Sequence, residues 1–393
     1  MATNSQKTAS AAAAAVNDFM HGAKKAAELA PPPAVVPADH GGNAHSAEIA
    51  AAVAVPTAFA TPQRRSIVLP AMLFAAAAAL VLFGGKGGLI SDFQYLQLSL
   101  ILVYAVAVLG LNLLTGFNGQ ISLGHGAFFA IGAYTAAIMI DRFNQPYSAT
   151  LPAAAMICFG AGYLFGLPAL RLEGHYLALA TFALATAVPQ ILKYRHIEGL
   201  TGGVQGINLI KPDAPFGLPI SSDQWMYLVV LLVTGLMFWL GRNLLDSRPG
   251  RAIVAIRDQP LAALTMGINT SHYKATTFGI SALYVGLAGA LHAIIFEYVS
   301  PDSYSFSLSV AILVGAVVGG IASLPGALIG GAFVQVIDKY ADSATKQLTS
   351  LVNLPIDLEP WTIYGVLLIT LIYVMPNGVA GGIATLWARL KRR

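Results

Sequence analysis

Long apolar runs recur along this sequence from Ile67 onward, and most are roughly 18 to 22 residues long. A helix needs about 20 predominantly apolar residues to cross the roughly 30 Å hydrocarbon core of a membrane. The sequence therefore predicts an all-α integral membrane protein, a polytopic bundle of about ten transmembrane helices with broken or re-entrant segments. The predicted spans are 67–85, 94–114, 121–140, 149–170, 174–193, 224–241, 272–296, 308–322, 324–338 and 361–380.

The composition fits this class. Charged residues make up 10% of the chain, whereas a soluble domain carries about 25%. No basic stripe with interleaved aromatic residues is present, so we expect no nucleic-acid partner. The one cysteine, Cys158, lies in an apolar run and cannot form an intrachain disulfide, and we expect no metal site.

The distribution of apolar residues divides the chain into three regions. Residues 1–65 are rich in Ala and Pro and carry few large apolar residues, so we expect a disordered cytoplasmic extension. Residues 66–385 form the predicted transmembrane domain, and 386–393 form a basic tail. Basic clusters precede the first span, follow the sixth and close the chain, and with ten spans all three lie on the cytoplasmic side. Both termini are therefore expected in the cytoplasm.

Two predicted spans, 308–322 and 324–338, are short and tightly joined. They are consistent with two full spans or with a re-entrant hairpin buried among other helices. Glycines four positions apart lie in this region and in 149–170, where they place small residues on one helix face. We interpret three such pairs as close helix contacts: Gly162 and Gly166, Gly315 and Gly319, and Gly326 and Gly330.

The predicted spans lack the charged residues that ion-coupled carriers place deep in the membrane. The charged residues nearest to the apolar runs lie at span ends: Asp92, Asp141, Lys193 and Glu297. The mid-span His125 and His292 are more typical of hydrogen-bonded packing residues than of proton relays. The glycine-rich stretch at 83–88 lacks the phosphate-binding pattern of an ATPase. If this chain moves a solute, we expect the energy source in a separate subunit.

The loop from about 243 to 271 is the longest mainly basic cytoplasmic stretch between predicted spans. Pro260 suits the first turn of a helix, and Leu261, Leu264 and Ile268 fall on one helix face. The pattern predicts a small amphipathic helix at the membrane surface. The spacing alone supports a helix that docks a partner and an interfacial helix without one equally well.

Four ordered blocks stand out in this sequence: 112–134, 201–207, 257–282 and 318–326. The first reads NLLTGFNGQISLGHGAFFAIGAY. Together the blocks resemble the high-affinity branched-chain amino-acid ABC permease family, most closely its LivM type. The first block resembles the family signature, and the third resembles its coupling loop with the span that follows. The likeness covers roughly residues 95–380.

The resemblance implies a non-catalytic permease subunit of an ATP-driven importer in the bacterial inner membrane. A second permease would complete the pathway, two ATPase subunits would bind ATP and Mg²⁺, and an extracytoplasmic binding protein would deliver the solute. This chain itself is expected to bind no cofactor. The implied cargo is a branched-chain amino acid or a related small solute. The alternatives are import of urea, short amides or aromatic acids by the same architecture, and a stand-alone channel or secondary carrier, which the missing charges disfavour.

The resemblance also implies the residues that contact the ATPase. Ala262 and Ala263 leave room for a partner, and Gly267 permits the chain to turn sharply where the helix ends. Leu261 stands where the general pattern has Glu, so neighbouring polar residues become candidates for that contact. The candidate coupling residues are Arg257, Asp258, Ala262, Ala263 and Gly267.

The candidate translocation path lies where the second predicted span breaks, at 115–119. A break frees backbone polar groups that the protein, water or cargo must satisfy. The alternative interpretation is that the amides only cap the broken helix and that the threonine bonds its own backbone. The candidate path residues are Asn112, Asn118, Gln120 and Thr181.

Overall fold

A computed structural model describes residues 91–352, except 171, 173 and 216–219, together with short pieces between 365 and 382. Several predicted features lie outside the described residues: the extension at 1–65, the span at 67–85, most of the span at 361–380, and the basic tail at 386–393.

The described residues are mainly helical. In chain order the elements are α1 (Asp92–Leu111), a π-helix (Asn112–Phe117), α2 (His125–Asp141), α3 (Tyr147–Ala169), α4 (His175–Leu192), α5 (Glu198–Thr201), a 3₁₀ turn (Gly203–Gln205), β1 (Ile207–Asn208), α6 (Ser222–Asp246), α7 (Arg248–Asp258), α8 (Pro260–Thr265), α9 (Thr270–Phe296), β2 (Tyr298–Val299), a 3₁₀ turn (Pro301–Tyr304), α10 (Phe306–Gly319) and α11 (Leu324–Val352).

Six helices among the described residues are long and apolar enough to cross a membrane, if the π-helix is joined to α1 and the second 3₁₀ turn to α10. Helix α2 and the first part of α11, Leu324–Ile337, are shorter apolar helices. These helices match eight of the ten predicted spans, so the structure agrees with a multi-helix membrane bundle and leaves the full count of ten unconfirmed.

Helix α9 is the centre of the bundle and packs against α1, α2 and α3. Close contact with α3 depends on small residues. A Cβ placed on Gly162 would lie 2.3 Å from the Cβ of Ala282, and one on Gly166 would lie 3.2 Å from the Cα of Ala275. The first predicted glycine pair is therefore a contact between helices, because only glycine lets the two backbones approach this closely.

The other two glycine pairs face each other across α10 and α11. A Cβ on Gly319 would lie 2.0 Å from the carbonyl oxygen of Gly326, and one on Gly330 would lie 2.3 Å from that of Gly315. Helix α11 has 29 residues, which at 1.5 Å per residue exceeds the ~30 Å core. Its apolar part, Leu324–Ile337, is however shorter than a full span, so the structure is compatible with two spans and with a re-entrant hairpin.

The 27 residues of α9 give it a length of about 40 Å, so its ends mark opposite faces of the bundle. Thr270 begins α9 beside α7 and α8, and we call this end of the bundle the α7–α8 face. Phe296 ends it at the sheet face, where Ile207 pairs with Val299 in a two-stranded antiparallel sheet.

Helices α3, α4 and α6 expose large apolar side chains: Met156, Leu164, Leu179, Leu232 and Trp239. Such contiguous apolar surface marks contact with lipid or another protein. Among the residues that the structure describes, the buried polar side chains belong to Ser, Thr, Asn, Gln and His, and none to Asp, Glu, Lys or Arg. The interior thus has the uncharged character that the sequence predicts.

Candidate functional site

The first helix breaks close to where the sequence predicts. A π-helix runs from Asn112 to Phe117, and Gly119 then turns the chain with a φ of 76°. The backbone of Gln120 partly compensates for the lost helical bonds, because its N–H donates to Leu114 O at 3.2 Å and its carbonyl accepts from the Thr115 hydroxyl at 3.0 Å.

Asn112 connects this break to a second one, the joint between α10 and α11. Its Nδ2 donates to the carbonyl oxygens of Ser323 at 3.0 Å and Gly320 at 3.3 Å, and its Oδ1 accepts from the N–H of Ala322 at 2.7 Å. Ala322 has a φ of 60°, which is rare for a residue with a Cβ. The buried amide of Asn112, only 1% exposed, therefore satisfies the backbone of the joint.

The other predicted path residues differ in their bonding. Gln120 Nε2 donates to Lys274 O on α9 at 3.2 Å. Thr181 Oγ1 donates to Ala178 O in its own helix and accepts from the N–H of Leu123, both at 2.9 Å. Asn118 is 3% exposed, and within the described chain neither atom of its amide has a hydrogen-bond partner. The structure thus separates one unpaired amide from three side chains that hold the broken segment in place.

The stretch predicted as a loop from about 243 to 271 is mostly helical. Ser247 caps α7, because its hydroxyl accepts from the N–H of Gly250, and Ile253 and Ile256 are buried on one face. The prediction treated Pro249 and Gly250 as loop residues, although a proline in the first turn after a serine is a signal for a helix start.

Arg257 turns back toward the bundle from the last turn of α7. Its Nη1 donates to the carbonyl oxygen of Gly116 in the π-helix at 2.9 Å, and its Nε donates to Asp258 Oδ1 at 2.8 Å. The sequence suggested both residues for contacts to an ATPase. In the structure the Arg257 side chain is 32% exposed and bonds within the chain, whereas Asp258 is 56% exposed.

Helix α8 is the predicted amphipathic helix, shortened to Pro260–Thr265. Leu261 is 78% exposed and Leu264 is 58% exposed, so its apolar face is uncovered in this chain. Of the two candidate alanines, Ala262 is exposed and Ala263 is buried against the bundle. Gly267 has a φ of 78° and ends the helix with a sharp turn, as predicted.

The sheet face carries ion pairs that the sequence prediction missed. The ammonium of Lys211 lies 2.8 Å from Asp223 and 2.9 Å from Glu297, and Lys193 pairs with Asp302. Burial alone would lower the pKa of Lys211, but the hydrogen bonds and charges of its two carboxylates outweigh it and raise the pKa above its ordinary value. The pairs of Lys211 with Glu297 and of Lys193 with Asp302 join segments far apart in sequence, so local spacing could not reveal them.

No group of three or more His, Cys, Asp or Glu side chains that could hold a metal ion occurs among the described residues. The described site is therefore made of amides, hydroxyls, backbone groups and one guanidinium.

Comparison with known proteins identifies the family. The model of the branched-chain amino-acid transport system permease component matches residues 95–377, which contain both breaks and α8. The chain belongs to the branched-chain amino-acid transport permease family. It is accordingly a multi-pass membrane transport protein, and the resemblance of its four sequence blocks to this family is confirmed.

Several curated permeases of this family are similar to the chain. The high-affinity branched-chain amino-acid transport system permease protein LivM of Salmonella typhimurium is 36% identical over 245 residues, 56% of this chain and 57% of that protein. LivM of Escherichia coli is 36% identical over 248 residues, 57% of this chain and 58% of its own length. LivH of Salmonella typhimurium is 28% identical over 297 residues, 71% of this chain and 91% of that protein.

The chain thus spans less than two thirds of the LivM proteins that it matches. No solved structure matches this permease.

Proposed function

We propose that this chain is the non-catalytic permease subunit of an ATP-driven importer for branched-chain amino acids or related small solutes. A second permease would complete the pathway, since relatives named LivM and LivH both resemble this chain. Two ATPase subunits would bind ATP and Mg²⁺, and an extracytoplasmic binding protein would supply cargo.

The observation that carries the proposal is helix α8. A helix of six residues presents Leu261 and Leu264 to the outside at the end of the bundle, directly after α7. Exposed leucines on such a short helix are favourable when a partner protein covers them. We assign them to the ATPase, with Asp258, Ala262 and Gly267 beside the contact. This assignment makes the α7–α8 face cytoplasmic, and with the ten spans that the sequence predicts we propose that both termini are cytoplasmic too.

The proposed path passes the broken segment. The absence of buried charge among the described residues argues against coupling to an ion gradient. The unpaired amide of Asn118 offers a donor and an acceptor to cargo or water. Asn112, Gln120 and Thr181 would fix the walls of the path, because each bonds to backbone groups of neighbouring segments or of its own helix.

Reconstitution tests this proposal. The chain, its partner permease and the ATPases are placed in vesicles with ATP on the ATPase side, and the binding protein with labelled leucine on the other. We expect uptake that requires ATP and every subunit. Uptake by the chain alone, or uptake driven by an ion gradient without ATP, would contradict the proposal. Competition by valine and isoleucine, compared with urea, short amides and aromatic acids, then identifies the class of cargo.

A further inference from the structure

Arg257 connects the segment that faces the ATPase to the broken helix. The hydrogen bond from its Nη1 to Gly116 O is 2.9 Å long and joins residues 141 positions apart. Gly116 lies in the last turn of the π-helix, where carbonyl groups lose their helical partners and carry the negative end of the helix dipole. A guanidinium is the side chain best suited to this place, because its charge is permanent and its donors are fixed in a plane.

The stem of Arg257 also packs against the turn that follows. A Cβ placed on Gly119 would lie 2.9 Å from the Cγ of Arg257, so the side chain lies directly on the backbone of that turn. The contacts at Gly116 and Gly119 flank Phe117 and Asn118. Movement of Arg257 must therefore displace the short stretch that contains the unpaired amide.

A second set of contacts leads from Gly116 to the joint between α10 and α11. A Cβ on Gly116 would lie 2.2 Å from Asn112 Oδ1 and 2.5 Å from the backbone nitrogen of Ala322. Asn112 accepts from that nitrogen at 2.7 Å. The two breaks thus share one packed centre, and Arg257 is bonded to its edge.

Arg257 is also tied closely to α8. Only Asp258 and Gln259 separate it from Pro260, and the N–H of Ala263 donates to Gln259 O at 3.0 Å. The N–H of Gln259 in turn donates to Ala255 O at 2.9 Å. A shift of α8 therefore pulls on the end of α7 without a long linker to absorb it.

We infer that Arg257 is a positioning residue that transmits the movement of α8 to both broken helices. The inference rests on the proposed function and adds to it the route by which ATP hydrolysis reaches the path. Arg257 acts through its hydrogen bond to Gly116 O. Without the Arg257 side chain, ATP hydrolysis should continue while solute uptake falls.

The test uses the reconstituted complex with Arg257→Ala, Arg257→Lys and, as a matched control, Arg251→Ala. Arg251 lies on the same helix and is exposed, and its guanidinium donates to Asp246 O. Labelled leucine uptake and phosphate release are measured together. We expect Arg257→Ala to lower uptake per ATP by about ten-fold, the effect of losing one charge-assisted hydrogen bond, while hydrolysis continues. Arg257→Lys, which keeps the positive charge but lacks the planar fork of donors, should recover part of the ratio, and Arg251→Ala should leave it unchanged.

Amide hydrogen exchange supplies a second readout that does not depend on activity. In the full complex, Arg257→Ala should speed exchange in the π-helix and at the N–H of Ala322, and Arg251→Ala should not. Should Arg257→Ala fail to assemble, Arg257→Lys still tests the inference, with a reduced ratio expected. An unchanged ratio in both Arg257 variants, or an equal fall in Arg251→Ala, would overturn it. Failure of the unaltered complex to take up leucine with ATP would instead count against the proposed function.

Discussion

His125 and Ser281 lie 2.7 Å apart, Nε2 to Oγ, and join the start of α2 to α9. The hydroxyl of Ser281 donates its one proton to Gly110 O at 2.6 Å, so the imidazole Nε2–H must donate to Ser281. On the other side, Ser122 Oγ accepts from Gly124 N at 3.3 Å and lies 2.9 Å from His125 Nδ1. Both nitrogens of the buried imidazole therefore have a hydrogen-bond partner, which favours a packing role over proton transfer.

We expect His125→Phe to lower the free energy of unfolding by about 1–3 kcal/mol, because it removes the hydrogen-bond partner that the buried hydroxyls of Ser122 and Ser281 share. Thermal unfolding of the purified protein in detergent measures this. Ser281→Ala removes the other end of the network and should destabilise the chain to a similar extent. An unchanged melting temperature in both variants would show that the network contributes nothing.

Asn112 and Asn118 are expected to respond in opposite ways to substitution by alanine. Asn112→Ala removes three hydrogen bonds and should reduce stability by about 1–3 kcal/mol, since it leaves a buried N–H unpaired. Asn118→Ala removes none within the described chain, so it should leave the melting temperature unchanged while lowering leucine uptake. Measuring both quantities for both variants tests the assignment. If Asn118→Ala lowered the melting temperature strongly and left uptake normal, the assignment of Asn118 to the translocation path would be wrong.

Two glycines on α3 form a matched pair for testing the contact with α9. A Cβ on Gly162 would lie 2.3 Å from the Cβ of Ala282, whereas one on Gly160 would have nothing within 4 Å. We expect Gly162→Ala to be destabilising by about 1–3 kcal/mol through overpacking. Gly160→Ala should be neutral or stabilising by up to about 1 kcal/mol, because alanine favours helix more than glycine does. Melting temperatures that shift equally would argue against this contact.

Stability should depend on pH through Lys211 only in alkaline solution. Its pKa is raised in the folded chain above the ordinary value of 10.5. The contribution of Lys211 to the free energy of unfolding is therefore complete below the ordinary pKa, and it is lost as the pH rises through the pKa of the folded chain. We expect Lys211→Met to melt at a lower temperature than the unaltered chain at neutral pH, and the difference to shrink only above about pH 10.5. Lys193→Met, at a pair with the exposed Asp302, should have a smaller effect.

Exposure predicts different consequences for the two exposed leucines of α8 and for its buried Ala263. Leu261→Ser combined with Leu264→Ser should leave the melting temperature of the isolated chain unchanged, because both side chains are exposed. The same change should weaken binding of the ATPases and uptake. Ala263→Glu should instead destabilise the isolated chain, since it buries a charge. Pull-down of the ATPases and thermal unfolding distinguish these effects, and normal uptake in the double serine variant would exclude α8 as the contact.

Much of the fold follows from the sequence because apolar length and glycine spacing are local properties. The predicted spans coincide with helices throughout the described residues, and the break near Gly116 is a π-helix. What the sequence did not reveal are contacts between distant segments, such as Asn112 with Ala322 and Arg257 with Gly116. A side chain near a break looks the same in sequence whether it is unpaired, as Asn118 is, or fully bonded. Helix α7 was missed for a different reason, since its N-terminal Pro and Gly resemble a loop.

The bond between Asn112 and Ala322 also sets an order of events during synthesis. The two residues are 210 positions apart, and at about 5–20 residues per second the second is made roughly 10 to 40 s after the first. During that interval the amide of Asn112 lacks its final hydrogen-bond partners. The bundle therefore reaches its native packing only after the joint between α10 and α11 has been made. A chain whose synthesis stops before residue 322 leaves the first broken helix without these hydrogen bonds.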